Sequence, residues 1–143
     1  MLINKIEFTK LEKEGSKADK PFFDYLALEI GKVYVVTITI DGCPACAKQK
    51  PKLKKLAMEI VQKHGNKIVF NEVHVKYNEG FKEESARSKD VFGYYFYPTN
   101  MILLRTKDRG VFEFYRNVSP PMKELEKNIE RAIETARILK EAT

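Results

Sequence analysis

Thr37-Ile38-Thr39-Ile40-Asp41-Gly42-Cys43-Pro44-Ala45-Cys46 is an apolar, β-branched run that stops at two cysteines and leads into a lysine-rich amphipathic segment. It reads as a buried strand, a tight turn and a helix whose first turn carries both thiols. Cys43 falls at the helix N-cap and Cys46 three residues on, neighbouring positions of one turn from which a small disulfide can close. At the positive end of the helix dipole, beside N–H groups that lack an intrahelical partner, the Cys43 thiolate is favoured. Free cysteine titrates near 8.5, and cysteines in such Cys-x-x-Cys positions fall to roughly 3.5–7.5. Pro44 suits the first helical position, because its ring presets the backbone and its missing N–H would have been unpaired anyway.

Upstream, Val33 to Ile40 is nearly all β-branched, with Tyr34 its one aromatic, as suits a central strand covered on both faces. Leu2 to Phe8 alternates and reads as a first short strand. Lys10 to Lys20, polar and holding Gly15 and Ser16, reads as a loop, and Pro21 as the opening of a helix carrying Phe22, Phe23, Leu26, Ala27 and Ile30 to a stop at Gly31.

Downstream, the helix after the cysteines runs from Pro44 to His64 and ends at Gly65, with Ala47, Leu53, Leu56, Ala57, Ile60 and Val61 at helical spacing and Pro51 inside it. Lys67 to Val75 reads as a second central strand, and Asn78 to Asp90 as a third helix reaching Phe92 and halting at Gly93. Tyr94-Tyr95-Phe96-Tyr97-Pro98-Thr99 leads into a strand at Asn100 to Thr106. Lys107-Asp108-Arg109-Gly110 turns the chain back into a last strand, Val111 to Arg116. Ser119 and Pro120 start a closing helix with Leu125, Ile129, Ala132, Ile133, Ala136 and Leu139 on one face. The order is β-α-β-α-β-α-β-β-α, with no internal repeat.

The 143 residues, 43% of them apolar and including nine Phe and seven Tyr, suit a single domain over 1–143 with a proper core. No opening segment has the pattern of a signal peptide, and no apolar stretch approaches the roughly 20 residues of a membrane span, which places the protein in the cytoplasm. Two cysteines spaced C-x-x-C in that setting point to redox chemistry rather than a structural framework. The 32% charged content, rich in Lys and Glu with no Trp, resembles that of heat-adapted proteins.

From Leu2 to the end, this order resembles the thioredoxin superfamily. Three features carry the match: Cys43-Pro44-Ala45-Cys46 at a strand-to-helix junction, Pro51 five residues after Cys46, and Tyr97-Pro98-Thr99 entering the hairpin. The resemblance implies a thioredoxin-like α/β fold, a mixed five-stranded sheet flanked by helices with three parallel strands and an antiparallel hairpin. It implies a cis Pro98 against the dithiol and a Tyr97 backbone able to pair with an extended substrate. Cys43 would be the attacking thiol and Cys46 the resolving one, with Pro44 and Ala45 bordering the substrate. The expected function is thiol–disulfide exchange on protein or low-molecular-weight disulfides, with an unidentified thiol reductant or reductase as partner and no cofactor beyond the Cys43–Cys46 dithiol. The alternative is a binding or scaffold protein of the same fold with incidental cysteines.

This sequence also departs from the family. Asp41-Gly42 fills the place of the tryptophan before the first cysteine, and Thr37 that of a buried carboxylate six residues before it. Asp41 is a possible substitute, but close to Cys43 its charge would raise the thiol's pKa. The Pro-first dipeptide is more like that of glutaredoxins and DsbA-type oxidants, so the direction of exchange stays open. Zinc wants three or four protein ligands, and only His64 and His74 could join the cysteines within one chain, so no metal is assigned; two copies could pool four thiolates. Both histidines read as residues with no chemical role, and Tyr94 to Tyr97 as core and sheet packing, with one ring bordering the substrate groove as the alternative. The net charge of +6 raises nucleic acid, but Lys48, Lys50, Lys52, Lys54 and Lys55 spread around their helix as a solvated face.

Overall fold

The structure, a computed structural model, describes residues 2–18, 22–77 and 82–142. The chain runs β1 (Ile3–Glu7), α1 (Phe8–Ala18), a single 3-10 turn (Phe22–Tyr25), β2 (Val33–Ile40), α2 (Pro44–His64), β3 (Ile68–Val75), α3 (Lys82–Phe92), β4 (Thr99–Arg105), β5 (Val111–Val118) and α4 (Met122–Glu141). The five strands form one sheet in the order β1-β3-β2-β4-β5. β1 and β2 both pair parallel with β3, while β4 pairs antiparallel with β2 and with β5. This is the mixed sheet expected, and the helix-and-strand order holds.

The first helix, however, is not the segment the sequence suggested. The expected loop at Lys10 to Lys20 is helical as far as Ala18, because Phe8 and Leu11, one helical turn apart, are both buried under the sheet. The glycine and serine that suggested a loop lie on a helix held by that tertiary contact rather than by propensity. Conversely, the helix expected from Pro21 to Ile30 shrinks to one 3-10 turn. Leu26 and Ala27 are still buried, but the Arg105 guanidinium donates to the carbonyls of Ala27 at 2.6 Å and of Asp24 at 3.2 Å, taking acceptors that a continuing helix would use. Pro21 and the expected helix start at Asn78 lie outside the described residues. β5 runs two residues further than expected, so α4 begins at Met122 rather than Ser119.

Alternation along the strands divides the core between two faces. On one face Val33, Val35, Ile68, Phe70, Ile102 and Leu104 pack against α2 and α4. On the other Val36, Ile38, Val73, Met101 and Leu103 pack with Phe8 and Leu11 of α1 and Phe92 of α3. The α2 side is apolar only along its lower part. Towards the C-terminal ends of β2 and β3 the residues with the same orientation are Thr37, Thr39, Glu72 and His74. The polar end of that face lies beneath the start of α2.

α2 ends at Gly65, whose φ of 63° and ψ of −133° belong to a region that side-chain-bearing residues avoid. A Cβ there would meet nothing within 4 Å, so substitution carries a backbone cost without a clash. Gly65→Ala is expected to cost about 1–2 kcal/mol in urea unfolding with the m-value unchanged.

Candidate functional site

The short turn Asp41-Gly42 carries the chain from β2 into α2, and Cys43 is the N-cap in extended conformation. Its Sγ accepts a hydrogen bond from the Cys46 backbone N–H at 3.1 Å, the interaction a capping oxygen would otherwise supply. The two cysteines are joined by a disulfide, with Cα atoms 5.2 Å apart. Both are partly exposed, while Pro44 and Ala45 between them stand in solvent. A thiolate released at Cys43 would therefore face a free helix N-terminus and an N–H already pointed at it, both of which favour the ionised form.

Pro98 arrives at the same end of the sheet. The register pairs Ile38 with Thr99, so Pro98 follows on opposite the last residues of β2, just before the Asp41-Gly42 turn. The Tyr97–Pro98 peptide bond is cis, as expected. Pro98 itself is buried, and its carbonyl accepts from the Ser119 N–H at 3.1 Å. The Tyr97 ring turns away into α3: its hydroxyl meets Ser85 at 2.7 Å and Tyr94 at 2.9 Å, and the Lys89 ammonium lies 5.5 Å from its centroid. The Tyr94 phenol is raised from its ordinary pKa, first by burial. The aromatic cluster thus splits. Tyr94 and Tyr97 are packing residues, whereas Tyr95 and Phe96, next to Pro98, are 80% and 67% exposed.

On the α2 side, a cavity of about 810 Å³ opens beneath the cysteines. Cys43, Cys46, Thr37, Gln49, Glu72 and His74 border it; Tyr97 and Pro98 do not. Ala47, expected in the core, is exposed on its wall. Where the resemblance implied a buried carboxylate, Thr37 donates to Asn100 Oδ1 at 2.7 Å. Asn100 also exchanges two hydrogen bonds with Gln49, at 3.1 and 2.8 Å, which links β2, β4 and the first turns of α2.

Beside this amide pair runs a second polar chain that sequence reasoning missed. Tyr77 N–H donates to Asp41 Oδ2 at 3.1 Å, Asp41 Oδ1 meets His74 Nε2 at 2.7 Å, His74 Nδ1 meets Thr39 Oγ1 at 2.9 Å, and Thr39 Oγ1 donates to Glu72 Oε2 at 2.6 Å. The Asp41 carboxyl is held below the usual carboxylate range, first by the His74 bond and then by the Tyr77 N–H. Asp41 is thus turned to His74 rather than left as a bare charge beside Cys43, and His74 is part of the cavity wall rather than an idle strand residue. The alternation His74, Glu72 on β3 against Asp41, Thr39 on β2 is the signal that could have found the chain. His64, in contrast, ties the end of α2 to α4, with Nε2 2.9 Å from Glu130 Oε1.

Among the described residues no group of three or more His, Cys, Asp or Glu side chains is arranged to hold a metal ion, and no helix is long and apolar enough to cross a membrane.

No family model matches the sequence, and no curated protein matches it. Solved structures do match. The Trx4 domain of ERdj5 superposes with a TM-score of 0.61 at 15% identity, over 94% of this chain and 98% of that one. A Trichomonas vaginalis thioredoxin gives 0.58 at 13%, over 91% and 96%. A chain from the complex of ferredoxin:thioredoxin reductase with thioredoxin f2 gives 0.55 at 18%, over 91% and 94%. With the strand order, the capping cysteine and the cis proline already in place, these likenesses show that the chain has the thioredoxin fold.

Proposed function

We propose that this protein is a thiol–disulfide oxidoreductase acting through Cys43 and Cys46. The observation that carries the reading is the N-cap itself: a half-exposed sulfur at a helix N-terminus, hydrogen-bonded to the Cys46 N–H and joined to its partner one turn away. In the reduced protein the Cys43 thiolate attacks a substrate disulfide, forming a mixed disulfide and expelling one substrate thiolate, which takes a proton from solvent. Cys46 then loses its proton and attacks Cys43 Sγ. The second substrate thiolate leaves, and the Cys43–Cys46 bond carries the two electrons' worth of oxidation. The dithiol needs no further cofactor.

The exposed Tyr95 and Phe96, together with Pro44 and Ala45, offer an apolar border for a polypeptide substrate, and the Tyr97–Pro98 backbone an edge for an extended segment. A reductase that restores the dithiol is the partner this cycle requires; the thioredoxin f2 complex is an instance among structural neighbours.

Two measurements test the reading. After reduction, iodoacetamide should alkylate one thiol with a midpoint at least one pH unit below the roughly 8.5 of free cysteine. Catalytic amounts should also accelerate reduction of insulin by dithiothreitol. An ordinary alkylation midpoint together with no acceleration would leave a scaffold protein with incidental cysteines.

A further inference from the structure

The Asp41–His74–Thr39–Glu72 chain obeys a simple proton count. A carboxylate only accepts, so His74 Nε2 carries the hydrogen in the 2.7 Å bond to Asp41. The Thr39 hydroxyl has one hydrogen and gives it to Glu72 at 2.6 Å, so its oxygen is left to accept from His74 Nδ1 at 2.9 Å. Both ring nitrogens then donate, and the ring is an imidazolium. The other arrangement moves one proton onto Glu72 and turns the hydroxyl towards Nδ1. That arrangement carries the same net charge, and the two differ only in whether Nδ1 holds a hydrogen.

The surroundings agree. His74 is only 12% exposed. Besides Asp41, the Glu72 carboxylate lies 3.9 Å from Nδ1, and Glu7, in register with His74 on β1, has a buried Oε2 with no hydrogen-bond partner among the described residues. The cations near this face are Lys5, in register with Glu72, and Lys50 and Lys54 of α2 on the cavity wall. All three are exposed side chains, whereas His74 is held by its bonds.

We propose that His74 is a positioning residue for the dithiol: held as an imidazolium, it offsets one of the two carboxylate charges, Asp41 and Glu72, in the wall of the cavity that both sulfurs border, and so keeps the cysteine thiolate accessible. The chain places two carboxylates in the wall of the cavity that the thiols also border, an arrangement that by itself opposes ionisation. The fixed cation between them lessens the conflict. A stabilised thiolate also favours the dithiol over the disulfide, so the same charge makes the protein more oxidising. The inference takes its functional meaning from the proposed oxidoreductase activity, but its charge state does not depend on it.

The test uses two readouts that need no turnover. In ¹⁵N-labelled oxidised protein at pH 7, both His74 ring nitrogens should give protonated-type shifts; one unprotonated nitrogen overturns the inference, and this reading requires no variant to fold. In reduced protein, His74→Gln should raise the Cys43 alkylation midpoint, with roughly tenfold less thiolate at pH 6. Adding Asp41→Asn to His74→Gln should recover most of that loss, which a merely structural role would not do. An unchanged midpoint in His74→Gln, or a double variant no better than the single, overturns the inference. Failure of the parent protein to reduce insulin would count against the proposed activity alone and leave the His74 result standing.

Discussion

Cys43→Ser is expected to bring insulin reduction down to the rate of dithiothreitol alone, with the protein folded. Exchange needs a sulfur nucleophile that is ionised near neutral pH, and a serine hydroxyl at the same N-cap is neither ionised nor able to give up electrons to a disulfide. Serine keeps the capping bond, since its Oγ can accept from the Cys46 N–H as Sγ does. The only stability lost is that of the crosslink, about 2 kcal/mol for so short a loop. The proper reference for melting is therefore the reduced parent. Cys46→Ser separates the two steps. Cys43 remains and still attacks, but nothing resolves the adduct, so a mixed disulfide should accumulate and be visible on a non-reducing gel. Equal activity of Cys43→Ser and parent would remove the enzyme reading, and an adduct trapped by Cys43→Ser but not by Cys46→Ser would reverse the assigned roles.

The parts of this fold that were legible in the sequence are those where local pattern and tertiary role agree. β2 is a β-branched run between turn residues, α2 has a capping residue, a proline at its first position and a glycine stop, and both proved to end where these signals put them. The first helix was misplaced because its evidence is tertiary. Phe8 and Leu11 hold α1 through burial, while Arg105, some 80 positions along the chain from Asp24 and Ala27, dismantles the helix expected there. The sulfurs and the cis proline were visible as motifs. The wall beneath them was not, since Asp41, His74, Thr39 and Glu72 become neighbours only through the parallel pairing of β2 with β3, in which Thr39 stands opposite His74. A histidine on a strand carries no signal of its own until the register is known.

The same limit applies to Asn100, which is fully buried and which the sequence offered only as the first residue of a strand. Its Oδ1 takes the hydrogens of Thr37 and Gln49, and its Nδ2 gives one to Gln49 Oε1. Asn100→Ala would leave the Gln49 amide and the Thr37 hydroxyl, both nearly buried where they border the cavity, without their partner. At about 1–3 kcal/mol for each unsatisfied group, partly offset if Thr37 turns to Gln49, the expected loss is roughly 3–5 kcal/mol, or on the order of 10 °C in Tm. An apolar pair should behave differently, because removing both partners leaves little to satisfy. Asn100→Leu with Gln49→Leu should therefore recover about half or more of the loss, a non-additivity that a double-mutant cycle reads directly. The network also bears on the site. Gln49 lies one turn beyond Cys46 and Asn100 two residues beyond Pro98, so the pair ties the cysteine-bearing turn of α2 to the strand that presents the cis proline. Asn100→Ala should then slow insulin reduction more than it changes the Cys43 alkylation midpoint, since the sulfur keeps its helix terminus while the surface opposite it loosens. A variant that melts within about 1 kcal/mol of the parent would mean that these amides reach water and that the bond between α2 and β4 contributes little.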